Sequence, residues 1–220
     1  MKPFLPVIAY QKIGITPKHS HVKNEWTSPN KLERILEWLT QHGYTCITPD
    51  ELTKPLPAKP ILLTFWGGYA STFTTVFPLL QKYHTPATVF VAVDTLGTYN
   101  QWQDPHVEPW QDVLTEDQVQ QMYQSGLVQI GSLGLLEQGL YTSDVATQQQ
   151  AWQESIFRLT QLHNITPCAV GYLNKQAVFR PEVDLPIFSL HAGKNSLTEK
   201  HLFSALPPTW FTSFLLRVQK

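Results

Sequence analysis

The stretch KPILLTFWGGYASTFTTVFPLLQKYHTPATVFVAV, residues 59–93, contains one full cycle of the pattern that decides the fold. Ile61 to Phe65 is a short apolar run that leaves through Trp66 into Gly67 and Gly68, so it reads as a buried strand ending in a loop. Phe73, Val76, Phe77 and Leu80 then fall on one helical face, with Pro78 as the breaker and an expected kink. Ala87 to Val93 is a second β-branched apolar run.

The same alternation continues on both sides. Residues 28–42 read as a helix: Ser28 caps it, Pro29 takes the first turn, Leu32, Ile35, Leu36 and Leu39 form the apolar stripe, and Gly43 closes it. A strand from Tyr44 to Thr48 follows. Thr115 and Gln118 make a capping box and Leu114 and Val119 a hydrophobic staple, so a helix begins there, ends at Gly126 and gives way to a strand over Leu127 to Gly131. Residues 144–162 place Trp152, Ile156 and Leu159 on one helical face; strand candidates follow at Pro167 to Tyr172 and Pro186 to Leu190, and a short helix at Trp210 to Val218.

Short apolar runs alternating with amphipathic helices imply an α/β fold of parallel strands with helices packed outside. Counting Pro6 to Tyr10, there are seven strand candidates, which favours a distorted, incomplete (β/α) barrel over a doubly wound sheet. In such a barrel the site lies at the C-terminal ends of the strands, which puts Tyr10, Trp66, Ser132 and Tyr172 around one mouth. No repeat, linker or low-complexity tract divides the chain, so residues 1–220 are expected to form one domain, with a long loop at residues 94–113.

Composition excludes several functions. With 42% hydrophobic and 15% charged residues the chain is globular in type, and its net charge of −1 with no Lys/Arg cluster argues against nucleic acid and against an anionic membrane surface. The apolar stretch from Phe4 to Ile13 is broken by Pro6 and Gln11 and lacks a basic leader, which predicts a cytoplasmic protein. Cys46 and Cys168 each lie in an apolar run and are expected to be buried free thiols.

Several segments together resemble the polysaccharide deacetylase family and its NodB homology domain. "PVIAYQKI" at 6–13 is similar to the opening strand, often P-V-L-x-Y-H-x-I, with Gln11 where His is common; "SPNKLERILEWLTQHGYTCITPDEL" resembles the helix and strand that follow. Residues 59–97 resemble the stretch around the first motif, usually T-F-D-D-G-Y, and residues 114–140 that around the second, usually G-S-H-T-x-x-H-x-x-L. "CAVGYLNK" at 168–175 is similar to a later strand motif, often F-x-Y-P-x-G, with Gly171 and Leu173 at the usual Pro and Gly positions. The closing segment from Ser189 to Phe211 resembles the family only loosely, with His191 as the one possible counterpart of a late catalytic histidine.

The resemblance implies a seven-stranded distorted barrel and metal-dependent removal of N-acetyl groups from glycans. It also implies that the general base falls on Trp66, the metal aspartate on Gly67, and the two metal histidines on Leu133 and Glu137. A catalytic zinc normally takes three protein ligands, and these positions supply one carboxylate at most. Without the metal a water keeps a pKa near about 15.7 instead of about 7, and loss of the base removes a further factor of about 10² to 10⁴. No metal or other cofactor is therefore expected.

Other residues could carry chemistry or binding. His19 and His21 share one side of an extended segment, and Asp104, His106 and Glu108 offer ligand atoms at alternate positions, but neither set has pinned geometry; solvated loop residues are the simpler reading. No phosphate loop, nucleophile elbow or paired-cysteine metal spacing occurs. Trp66, Tyr69, Tyr172 and the loop residues Trp102 and Trp110 could stack on sugar rings, and Glu137 could orient a ligand; against this, Trp66 could simply plug a cavity left by lost polar residues. The sequence thus predicts an inactive deacetylase-like protein that binds a glycan or a partner protein, with residues 98–113 as the contact loop. The alternatives are a carbohydrate-active hydrolase with a relocated site, and a structural protein that assembles through its outer helices.

Overall fold

A computed structural model of the chain describes residues 5–135, 144–172, 184–190 and 202–205. Eight strands form one sheet in which every pairing is parallel. These are β1 (Val7–Tyr10), β4 (Thr45–Ile47), β5 (Pro60–Trp66), β6 (Ala87–Val91), β7 (Val128–Ser132), β8 (Val170–Tyr172), β9 (Ile187–Leu190) and β10 (Leu202–Ala205). The order runs β1-β5-β6-β7-β8-β9-β10, with β4 joined to the N-terminal end of β5 through Ile47 and Leu62. The sheet curls until β10 lies against β1 without a ladder between them, which makes an incomplete barrel.

Seven of these strands coincide with the runs expected from the sequence, and β10 is an addition. A second, two-stranded sheet was also not expected: β2 (Lys12–Ile13) pairs with β3 (Trp26–Thr27) beyond the end of β1. Two-residue strands are too short for alternation to reveal them.

The helices follow their caps. Helix α1 (Pro29–Gln41) starts where the Ser28 hydroxyl accepts from Lys31 N, and α3 (Glu116–Gln124) starts at the reciprocal Thr115–Gln118 box. Helix α4 (Val145–Gln161) is capped by Asp144, whose carboxylate accepts from the Ala146 and Thr147 amides. The kink expected at Pro78 takes a different form. A π-turn over Thr72–Val76 precedes α2 (Phe77–Lys82), so Pro78 falls in the first turn of a new helical segment, where its missing N–H costs little. The helix expected at Trp210 to Val218 lies outside the described residues.

Strand alternation sorts the core into two layers. Ile61, Leu63 and Phe65 of β5, Ile8 and Tyr10 of β1, and Val89 and Val91 of β6 pack outward against the helices, together with Leu32, Leu36, Leu80 and Val119. Val7, Ala9, Leu62, Trp66, Phe90, Ala92, Leu133, Ala169 and Phe188 pack on one another on the concave face. Cys46 packs with the outer layer and Cys168 with the inner one, on opposite faces of the sheet, and both are free thiols. Burial pushes the Cys46 thiol up to about 12. No helix among the described residues is long and apolar enough to cross a membrane.

Candidate functional site at the strand ends

The C-terminal end of β5 is filled by side chains. Trp66 has 0% exposure and stacks on Phe90, with ring centroids 4.3 Å apart and planes 21° from parallel. Its indole N–H donates to Thr64 Oγ1 at 2.8 Å, and the Thr64 hydroxyl donates to the Ile8 carbonyl at 2.9 Å, so the one polar atom of the plate is satisfied inside the barrel. Phe188 packs tilted against Phe90, with ring centroids 5.6 Å apart and planes at 56°.

Two glycines make room for this plate. A Cβ at Gly171 would fall 2.6 Å from Trp66 Cζ3 and 2.9 Å from Phe90 Cδ1, and one at Gly131 would fall 2.5 Å from the Phe90 ring. The small residues of β7 and β8 and the large ones of β5 and β6 interlock across the concave face, as barrel interiors require.

Gly67 has a φ of +96°, and a Cβ there would meet Tyr69 Cε2 at 2.6 Å. The Tyr69 ring thus covers the volume beside position 67, and it is 4% exposed. Its phenol is pushed above its ordinary range, first by burial and then by the nearby Glu25 carboxylate. Leu133 is buried on the concave face, with its amide donating to the Val91 carbonyl at 2.8 Å.

Not every residue expected at the mouth faces it. Tyr10 points outward and stacks on Phe65 at 5.2 Å, in the helix-facing layer. Ser132 also faces a helix, its hydroxyl 2.6 Å from that of Ser155 on α4. Both stand at strand ends, but strand alternation turns their side chains away from the concave face. The backbone of Tyr172 ends β8 beside Ser189 of β9, while Glu137 and His191 lie outside the described residues.

The long loop is tied down by a polar cluster that no motif announces. Lys12, 1% exposed, pairs with Glu25 at 2.5 Å and sits 5.5 Å from the centre of the Tyr69 ring. Gln103 donates to the same Glu25 carboxylate at 3.2 Å. Glu108 is fully buried: one oxygen accepts from the Trp26 indole at 2.7 Å, and the other has no protein partner. Trp102 lies 6.1 Å from Tyr69. Lys12, Glu25, Thr64, Phe90, Gly131 and Gly171 escape sequence reasoning. The one signal that could have found any of them is a glycine within a strand-like run, as at Gly131 and Gly171, which marks a close approach.

His19 and His21 are exposed, and the His21 amide donates to the Val107 carbonyl at 3.1 Å, so the two candidate ligand segments run side by side. Their side chains do not converge. Asp104 turns its carboxylate to the His106 amide at 2.9 Å, and among the described residues no three His, Cys, Asp or Glu side chains gather as a metal would need. The metal that the family resemblance implies does not fit positions 66, 67 and 133 either. Those positions offer an indole, no side chain and a hydrocarbon, and the Tyr69 ring stands where a carboxylate at position 67 would begin.

Comparison with known proteins gives a consistent kinship. The family model described as Polysaccharide deacetylase matches residues 53–172. The putative polysaccharide deacetylase YxkH of Bacillus subtilis (strain 168) is 25% identical over 183 residues, which are 79% of this chain and 59% of that protein. A poly-beta-1,6-N-acetyl-D-glucosamine N-deacetylase of Staphylococcus epidermidis is 24% identical over 120 residues, 52% of this chain and 39% of that one. The chain thus spans less than two thirds of the length of these curated relatives. Among solved structures, the Streptococcus pyogenes deacetylase PplD in complex with acetate superposes with a TM-score of 0.74 at 18% identity, covering 98% of each chain, a likeness of fold.

Proposed function

The chain belongs to the polysaccharide deacetylase family, and from that premise we propose that it is a catalytically inactive member working as a binding module for a glycan or a partner protein. The observation that carries this reading is the packing at positions 66 to 69. Deacetylation by the route the resemblance implies needs a metal-bound water and a carboxylate base on the concave face. Here Trp66 stacks on Phe90 with its N–H satisfied, and the Tyr69 ring lies against Gly67. Trp66 acts as a plug that restores packing, and the Tyr69 ring fills the space beside Gly67. Tyr172 and Glu137 remain the ligand-contact positions of the mouth in this reading.

The test is zinc content by elemental mass spectrometry after incubation with excess zinc and dialysis, paired with amine release from N-acetylated oligosaccharides. The expected result is substoichiometric zinc and no amine. Near-stoichiometric zinc with amine release would overturn the reading in favour of a hydrolase with a relocated site. Substitution of His19, His21, Asp104, His106, Glu108 and Glu137 would then find its ligands.

A further inference from the structure

Trp66 and Phe90 are fully buried in the barrel interior, whereas the loop over residues 94–113 presents aromatic faces to solvent. Tyr99 is 51% exposed and Trp110 is 45% exposed; their ring centroids are 6.5 Å apart and their planes 20° from parallel. An aromatic pair left in solvent forgoes the burial that stabilises most such rings.

The pair is also held in place. The Trp110 indole donates to the Gln103 carbonyl at 2.8 Å. Tyr99 pairs antiparallel with Asp112, flanked by Val113 N to Thr98 O at 2.9 Å and Asn100 N to Gln111 O at 3.1 Å. Beneath them Asn100 is fully buried, its side chain accepting from the Gln111 amide and donating to Gln103 Oε1 at 2.8 Å. Two rings fixed in this way lose little freedom when a ligand arrives.

Their surroundings select the ligand. Residues 98–113 contain no Lys or Arg, which disfavours phosphate and other polyanions; the same segment carries the exposed Gln101 carboxamide, the exposed Asp112 paired with Tyr99, and Gln111, whose side-chain amide nitrogen donates to the Pro109 and Trp110 carbonyls. Flat apolar faces beside carboxamide and carboxylate groups, with no Lys or Arg among residues 98–113, match a pyranose ring, which has an axial C–H face and equatorial hydroxyls that donate to such acceptors. We propose that Tyr99 and Trp110 form a stacking subsite for a neutral pyranose unit of a glycan, outside the barrel mouth. This inference rests on the binding-module reading.

The test is isothermal titration calorimetry of the full chain with chitotetraose and with cellotetraose, using wild type, Tyr99→Ala, Trp110→Ala and Trp110→Phe, with circular dichroism as a check of folding. The expected result is saturable binding of at least one tetrasaccharide, weakened about tenfold in each alanine variant and less in Trp110→Phe, which keeps a ring. Equal affinity in folded wild type and alanine variants would overturn the subsite and leave the binding-module reading standing. Absence of saccharide binding by wild type would also overturn it, as would an effect of the variants on self-association alone. The reading of inactivity falls separately, on zinc uptake and turnover.

Discussion

Gly171 and Trp66 show how single residues fix the concave face. Gly171→Ala would place its methyl 2.6 Å from Trp66 Cζ3 and 2.9 Å from Phe90 Cδ1, against both rings of the stacked pair. The expected cost is about 1–3 kcal/mol of stability, read as a lower urea midpoint, and Trp66→Phe in the same chain should recover part of it. An unchanged midpoint would mean that the plate is not rigid. This pairing was only half legible. The strand at 61–65 and its exit into two glycines could be read directly, but whether Trp66 points inward depends on β7 and β8, which lie far along the chain. Glu108 is a stronger case: beside Asp104 and His106 it reads as a loop carboxylate, yet its partner is Trp26, 82 positions away.

Among the elements, the small β2–β3 sheet and the long loop behave as one unit, joined by Lys12–Glu25, Gln103–Glu25 and Trp26–Glu108. Glu108→Gln keeps an acceptor for the Trp26 indole and replaces the orphaned carboxylate oxygen with an amide. Its urea midpoint should match or exceed that of wild type. Glu108→Ala strands the indole N–H and should cost about 1–3 kcal/mol, with faster amide exchange across residues 98–113. If both variants lose stability equally, the carboxylate charge itself holds the loop. Helices α1 and α3 were legible because their caps lie within a few residues of what they cap, and α4 because Trp152, Ile156 and Leu159 recur on one face. The β2–β3 sheet depends on a return of the chain after a turn and has no local signature. The π-turn before Pro78 also goes unannounced, since a proline signals that a helix must change and not how.

At the scale of the whole molecule, the inner and outer layers are two faces of one sheet, so neither can open without the other. Urea unfolding followed by near-ultraviolet and far-ultraviolet circular dichroism should therefore give coincident single transitions, and separated midpoints would divide the chain into independent units. The alternation of strands and helices made the barrel legible, whereas the attachment of β4 to the base of β5 and the presence of β10 were set by long-range pairing. The geometry at position 67 also limits which side chains this end of β5 can accept. An aspartate introduced there would need a positive φ of +96°, which residues with a Cβ rarely adopt, and the Tyr69 ring would first have to leave. A smaller residue at 69 with Gly67 unchanged would open a void and supply no ligand. A carboxylate at position 67 therefore requires a change at position 69 as well, and either change made alone leaves this end of β5 strained or underpacked.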